Sequence, residues 1–205
     1  MENYLNEFII IAVAHFVALI SPGADFVYIL NSALSNKPKV AIGASAGIAL
    51  SNGFYIALCL LGYATFISQN EIIINMIKII GGSYLLYLAF FILKSEPFHL
   101  EIKKQKQSTF IKELYRGFAL SILNPKISIF YLSLFTLAIS STTPIIIQFL
   151  YGLWMILLVF IWDTLLIYFL NHPKLKKRII DIANLQNLMA VLLVIMGLGL
   201  FFTLL

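Results

Sequence analysis

Charge is what this chain has least of. Of 205 residues, 11% are charged and 61% are hydrophobic, where a soluble domain has about 25% and 45–50%. That polar surface is too small to cover a water-soluble globule of this size, which places the chain in a bilayer. Cysteine is nearly missing. Cys59 stands alone, which excludes an internal disulfide and a Cys-x-x-Cys redox pair, and with them thiol electron carriage across the membrane. Histidine is scarce, and His15, His99 and His172 do not cluster, so no metal-site spacing is visible. The first residues hold Glu2 and Glu7 but neither Lys nor Arg. The apolar run before Ala12-Val13-Ala14 is short for a cleavable signal, so the N-terminus is expected to begin the first span. The net charge of +5 invites a nucleic-acid partner, but the basic residues sit in loops beside apolar runs, which is a topology signal.

What the chain does have is apolar length. Six segments, at about 8–30, 41–67, 72–93, 114–139, 145–170 and 185–205, are each long enough for a membrane helix. Lys37 and Lys39, then Lys94, Lys103, Lys104, Lys106, Lys112 and Arg116, then Lys174, Lys176, Lys177 and Arg178 fall in alternate connections, while the opposite side holds Lys78. This predicts both termini outside and three basic loops in the cytoplasm. The polar stretch 95–112 reads as a linker between residues 1–94 and 113–205. Each half has three spans, an odd number, so the second is expected to be inverted relative to the first. The fold class is therefore all-α and polytopic, with six transmembrane helices in two inverted three-helix repeats.

Two prolines fall inside otherwise apolar helical stretches, about half a chain apart. One break reads Ser21-Pro22-Gly23-Ala24-Asp25, the other Ser121-Ile122-Leu123-Asn124-Pro125-Lys126. Aligning them sets Tyr28 on Tyr131. Proline donates no i→i−4 hydrogen bond, so Pro22 orphans the carbonyl of Ala18 and Pro125 that of Ser121. Serine and asparagine are good N-caps and proline suits the first helical position, so each break reads as a helix start within the membrane. Such a start offers free N–H groups and partial positive charge to a carboxylate. Gly23 permits close approach, and the orphaned carbonyls can accept from an ammonium.

Asp25, Lys126 and Asp163 are ionisable residues deep in spans, each costing about 2.5–3.5 kcal/mol to insert. The simplest arrangement sets Lys126 between or beside the two aspartates. One reading is a polar cavity for a zwitterion, with Lys126 and the helix starts for a carboxylate and an aspartate for an ammonium or a proton. The other is a structural ion pair, and Asp163 stands where it could snorkel to the interface. Asn52, Tyr28 and Tyr131 are candidate cavity residues, each with a packing alternative. His15 reads first as a packing residue. Gly43 and Gly47 mark a close helix contact, as do Gly81-Gly82 and Gly197/Gly199, and such faces would permit a homodimer.

These motifs together resemble the LysE/RhtB family of amino-acid exporters. The family's Pro-Gly-Pro motif stands here as Pro22-Gly23-Ala24, followed by Asp25-Phe26. Its glycine-rich second span matches Gly43, Gly47 and Leu60-Leu61-Gly62, and its third Gly82-Ser83-Tyr84-Leu85 through Lys94. Its second half matches Gly117-Phe118 and Asn124-Pro125-Lys126. The resemblance implies a secondary exporter of amino acids in a bacterial inner membrane, driven by the proton gradient and using no cofactor. The expected substrate site is Ser21, Pro22, Gly23, Asp25, Asn124, Pro125 and Lys126, with Asp25 or Asp163 carrying the proton. A cation or metal exporter is the alternative, though it calls for clustered carboxylates, histidines or thiols. An intramembrane aspartyl protease would need two carboxylates sharing a proton, and Lys126 argues against it.

Overall fold

The computed structural model describes residues 2–20, 23–62, 71–94, 108–140, 142–172 and 186–202. Ser21, Pro22, most of the 95–112 linker and the basic residues from Lys174 to Arg178 lie outside the described residues. Every regular element described is a helix. In chain order these are α1 (Glu2–Ile20), α2 (Ala24–Ser35), α3 (Pro38–Gly62), α4 (Glu71–Lys94), α5 (Phe110–Ile122), α6 (Pro125–Ala138), α7 (Ile145–Asn171) and α8 (Gln186–Phe202).

Helices α3 and α7 are each long and apolar enough to cross a membrane. The pairs α1/α2 and α5/α6 each qualify as one broken span, bent by 56° and 61°. The breaks are those that proline chemistry predicts. The first span begins at Glu2, some six residues before the expected position 8, because Glu7 is buried and bonded. Helix α5 likewise takes Phe110 to Lys112 from the expected linker, started by the Thr109 hydroxyl, which accepts from Lys112 N–H at 3.3 Å.

The pattern on α7 shows which way each face looks. Gln148, Tyr151, Gly152, Met155, Val159, Asp163, Leu166, Ile167 and Leu170 are buried at three- and four-residue spacing. Ile145, Ile146, Phe149, Leu150, Leu153, Leu157, Ile161 and Leu165 are exposed between them. A stripe of exposed aliphatic and aromatic groups alongside an inward face that contains an acid is the arrangement of a lipid-facing helix. The molecule is a polytopic all-helical membrane protein.

Among the described residues, three apolar clusters form the interior. One joins Leu85 and Ala89 of α4 to Ala190 and Leu193 of α8, and the other two lie along α3 and α7. Of these two, the first gathers Ile11 and Ala14 of α1, Ile56 and Cys59 of α3, Phe130 to Ala138 of α6, and Tyr151 and Met155 of α7. The second gathers Phe26 to Ala33 of α2, Ala41 to Ala49 of α3, and Val159 to Leu170 of α7. Helix α3 passes through the second cluster and then the first, and α7 passes through them in the opposite order. The two long helices are therefore antiparallel, and the breaks fall where these two clusters meet.

Glycines set how closely the helices approach. A side chain at Gly43 would collide with the Phe110 carbonyl, one at Gly47 with the Leu114 carbonyl, and one at Gly117 with the Ala44 carbonyl. Helices α3 and α5 thus touch backbone to backbone. Gly82 of α4 and Gly197 of α8 meet in the same way, each glycine's Cβ position lying 3.0 Å from the other's carbonyl oxygen. Gly43, Gly47, Gly82, Gly117 and Gly197 are thus used within the chain, whereas a Cβ at Gly199 would meet nothing within 4 Å.

Candidate functional site

Each break reaches across to the other. Asp25, in the first turn of α2, accepts from Ser121 Oγ at 2.8 Å and from Asn124 Nδ2 at 2.9 Å, both on the second break. Lys126, in the first turn of α6, donates from Nζ to the Ala18 carbonyl at 3.1 Å. That carbonyl is the acceptor that Pro22, at i+4, cannot satisfy. The carbonyl of Ser121, left over by Pro125, is taken by Asn124 N–H at 3.0 Å. Lys126 stands beside Asp25, as expected, but the groups that hold the Asp25 oxygens are neutral donors.

The two helix starts are capped differently. Asn124 caps α6 with its own side chain, Oδ1 accepting from Lys126 N–H at 3.0 Å, with Pro125 in the first turn. Helix α2 starts at Gly23, in extended conformation, with no side chain to cap it. Its Cβ position lies 3.4 Å from Lys126 Nζ. Among the described residues no side chain caps this start, and its partial positive charge lies next to the Lys126 side chain.

A cavity of about 50 Å³ lies between the breaks, lined among others by His15, Gly23, Asp25, Asn52, Asn124, Lys126, Tyr131 and Asp163. This is room for a few waters and far below the roughly 300–1,000 Å³ of pockets that enclose drug-sized ligands. Asn52 Nδ2 donates to the Ile48 carbonyl at 2.8 Å, and Asn52 Oδ1 accepts from Tyr131 Oη at 2.8 Å. Tyr131 Oη is in turn 3.0 Å from His15 Nε2. Asp163 is 6% exposed and so does not snorkel. It faces the cavity with no hydrogen-bond partner among the described residues.

One candidate is corrected. Tyr28, aligned with Tyr131 in sequence, is not on this cavity. It sits one turn beyond the break, and its hydroxyl donates to Glu113 Oε2 at 2.9 Å, where Ser32 Oγ also donates at 2.7 Å. Glu113 is 1% exposed and is also met by Arg116 at 3.2 Å. A second buried carboxylate, Glu7 of α1, accepts at Oε1 from Ser140 N–H at 3.1 Å and Thr143 Oγ1 at 2.7 Å. The sequence marks Ser121 by its orphaned carbonyl and not its hydroxyl, marks Glu7 as an N-terminal charge, and does not single out Glu113. The last two begin spans, where a carboxylate ordinarily faces water, and the one signal for Glu113 was the Ser-Thr pair starting its helix.

The chain is 24% identical to a leucine efflux protein of Klebsiella pneumoniae over 190 residues, 88% of each chain. It is 24% identical to a threonine efflux protein of Escherichia coli K12 over 179 residues, 84% of this chain and 86% of that one. An uncharacterised membrane protein of the same organism, YahN, is 26% identical over 163 residues, 78% of this chain and 73% of that one. No solved structure matches. The family pattern described as LysE type translocator matches residues 16–204, so the chain belongs to the LysE type translocator family and is a transporter, not an enzyme.

Proposed function

We propose that the protein exports amino acids, binding the substrate between the two proline breaks. The observation that carries this reading is the crossed pair of contacts, Asp25 on Asn124 and Ser121, and Lys126 on the Ala18 carbonyl, at a cavity that also holds Asp163. The substrate carboxylate meets Lys126 Nζ and the uncapped start of α2 at Gly23. Its ammonium meets the acidic side of the cavity. Relatives named as leucine and threonine efflux proteins support the substrate class. Lys126 in the cavity argues against the rival reading, export of a cation or metal.

Six spans in two inverted halves fit the helices, as α1/α2, α3 and α4, then α5/α6, α7 and α8. The two buried glutamates support that symmetry. Glu7 ties α1 to Ser140 and Thr143 in the connection after α6, and Glu113 ties α5 to Tyr28 and Ser32 of α2, so the first helix of each half is bonded to the other half. With both ties made, the cavity is too small for an amino acid, so substrate entry from either side requires one of them to open, the usual logic of alternating access. Both termini lie outside, in a bacterial inner membrane, by the distribution of basic residues.

Coupling to protons runs through Asp163. Asp25 has both oxygens committed to donors, whereas Asp163 has no hydrogen-bond partner among the described residues and is free to exchange partners during the cycle. In liposomes with an imposed pH gradient, Asp163→Asn is expected to lose gradient-driven accumulation of labelled amino acid while keeping exchange of amino acid for amino acid. Gradient-driven accumulation at the wild-type rate would exclude Asp163 as the carrier. Failure of the wild type to exchange any amino acid would exclude the function itself.

A further inference from the structure

The hydrogen-bond chain behind the cavity has a direction, and the direction leaves one atom over. The Ile48 carbonyl is an acceptor, so the Asn52 group that faces it at 2.8 Å is the NH2. Asn52 therefore presents its oxygen to Tyr131, and the single hydroxyl proton of Tyr131 is spent on that oxygen. The contact of 3.0 Å between Tyr131 Oη and His15 Nε2 must then be donated by the imidazole. A neutral His15 with its proton on Nε2 carries a lone pair on Nδ1. Nδ1 is buried and has no partner among the described residues. The ring is 2% exposed and stands among Phe130, Tyr131 and Trp154, with centroids 5.9–6.2 Å away. It cannot readily turn to find another donor. An acceptor held in this way costs free energy unless something arrives to fill it.

We infer that His15 Nδ1 is the acceptor for an N–H of the substrate's primary ammonium. The inference rests on the amino-acid reading above and adds, beside the acidic side of the cavity, a neutral group that tells an amino acid from the corresponding plain carboxylic acid. Lys126 and the start of α2 bind any carboxylate, and do not make that distinction. His15 makes it because its free atom accepts and does not donate, and because Asn52 and Tyr131 fix which atom that is. A ligand without a donor at that point leaves Nδ1 as it is now, buried and unfilled.

The test uses the full chain in liposomes and measures counterflow of labelled amino acids from the standard set, with inhibition by two probes. One probe is the unlabelled amino acid that the wild type exchanges. The other is its deaminated analogue, 4-methylpentanoate in the case of leucine. His15→Gln keeps a donor at the place of Nε2, and hence the bond to Tyr131, but has nothing at the place of Nδ1. It should raise the half-saturating concentration of the amino acid roughly tenfold, as expected for loss of a hydrogen bond to a charged group. The inhibition constant of the deaminated acid should stay within about twofold, since that ligand never used Nδ1. His15→Asn, whose amide oxygen stands near the Nδ1 position, should recover part of the loss. Equal weakening of both probes by His15→Gln would make His15 a packing residue and overturn the inference, as would unchanged affinity for the amino acid. If the wild type exchanges no amino acid, the exporter reading falls and this inference falls with it. A wild type that transports alongside a His15→Gln variant that behaves like it removes this inference alone.

Discussion

The two proline breaks pose the same backbone problem and solve it differently. At the second, Asn124 serves twice. Its oxygen caps α6 on Lys126 N–H, and its nitrogen donates to Asp25. At the first, Gly23 has no side chain to offer, and α2 begins uncapped beside the Lys126 ammonium. On the proposed export reading, the second break, capped by its own Asn124, serves as scaffold and the first as receptor. The neighbouring half-helices follow suit, because α5, which leads into the second break, lies backbone to backbone on α3 through Gly43, Gly47 and Gly117. A pair of similar motifs is thus not a pair of equivalent helix starts, since one is capped by asparagine and the other begins at glycine.

The largest effect should come from removing the charge that the scaffold break lends to the receptor break. Lys126→Met deletes the bond to the Ala18 carbonyl and the ammonium beside Gly23. Initial counterflow should fall by about a hundredfold, the upper end of the range for a charged hydrogen bond because two such contacts are removed, with the protein still recovered in detergent. Next comes the anchoring of the scaffold. Gly47→Ala forces a methyl group into the Leu114 carbonyl and should cost about 1–3 kcal/mol by overpacking, read as a drop of several degrees in thermal unfolding. A normal midpoint would mean that α5 is not held as tightly as the backbone contact implies. The smallest effect separates the two tasks of Asn124. Asn124→Ala should lose about 1 kcal/mol as a missing N-cap. Asn124→Ser should restore the cap and the melting midpoint, yet leave transport reduced because Asp25 still lacks its second donor. If serine restores both, the bond to Asp25 matters little and the contrast between the breaks weakens.

The breaks were legible because proline chemistry is local. Pro22 names Ala18 as its orphaned carbonyl, and Asn124-Pro125 reads as a helix start, whatever the rest of the fold does. The cross-connection was not legible, since Lys126 fills a vacancy 108 residues away, and no local rule names its partner. The tyrosines show the same limit. Tyr28 and Tyr131 align, but α2 lies opposite Glu113 while α6 lies opposite His15 and Asn52, so one tyrosine ties a helix end and the other lines the cavity. The burial of Glu7 and Glu113 was not legible because it depends on which half-helix packs across them, and composition carries no trace of that.

The central claim is that the ligand sits at the uncapped start of α2. Cys59, the single cysteine of the chain, is replaced in a Cys59→Ala background, and Gly23→Cys is compared there with Thr142→Cys on an exposed loop. The rate of labelling by a membrane-permeant maleimide is then followed with and without a saturating amino acid that the wild type exchanges. The amino acid should slow labelling at position 23 several-fold and leave position 142 untouched. Equal rates at position 23, with and without the amino acid, would contradict the claim.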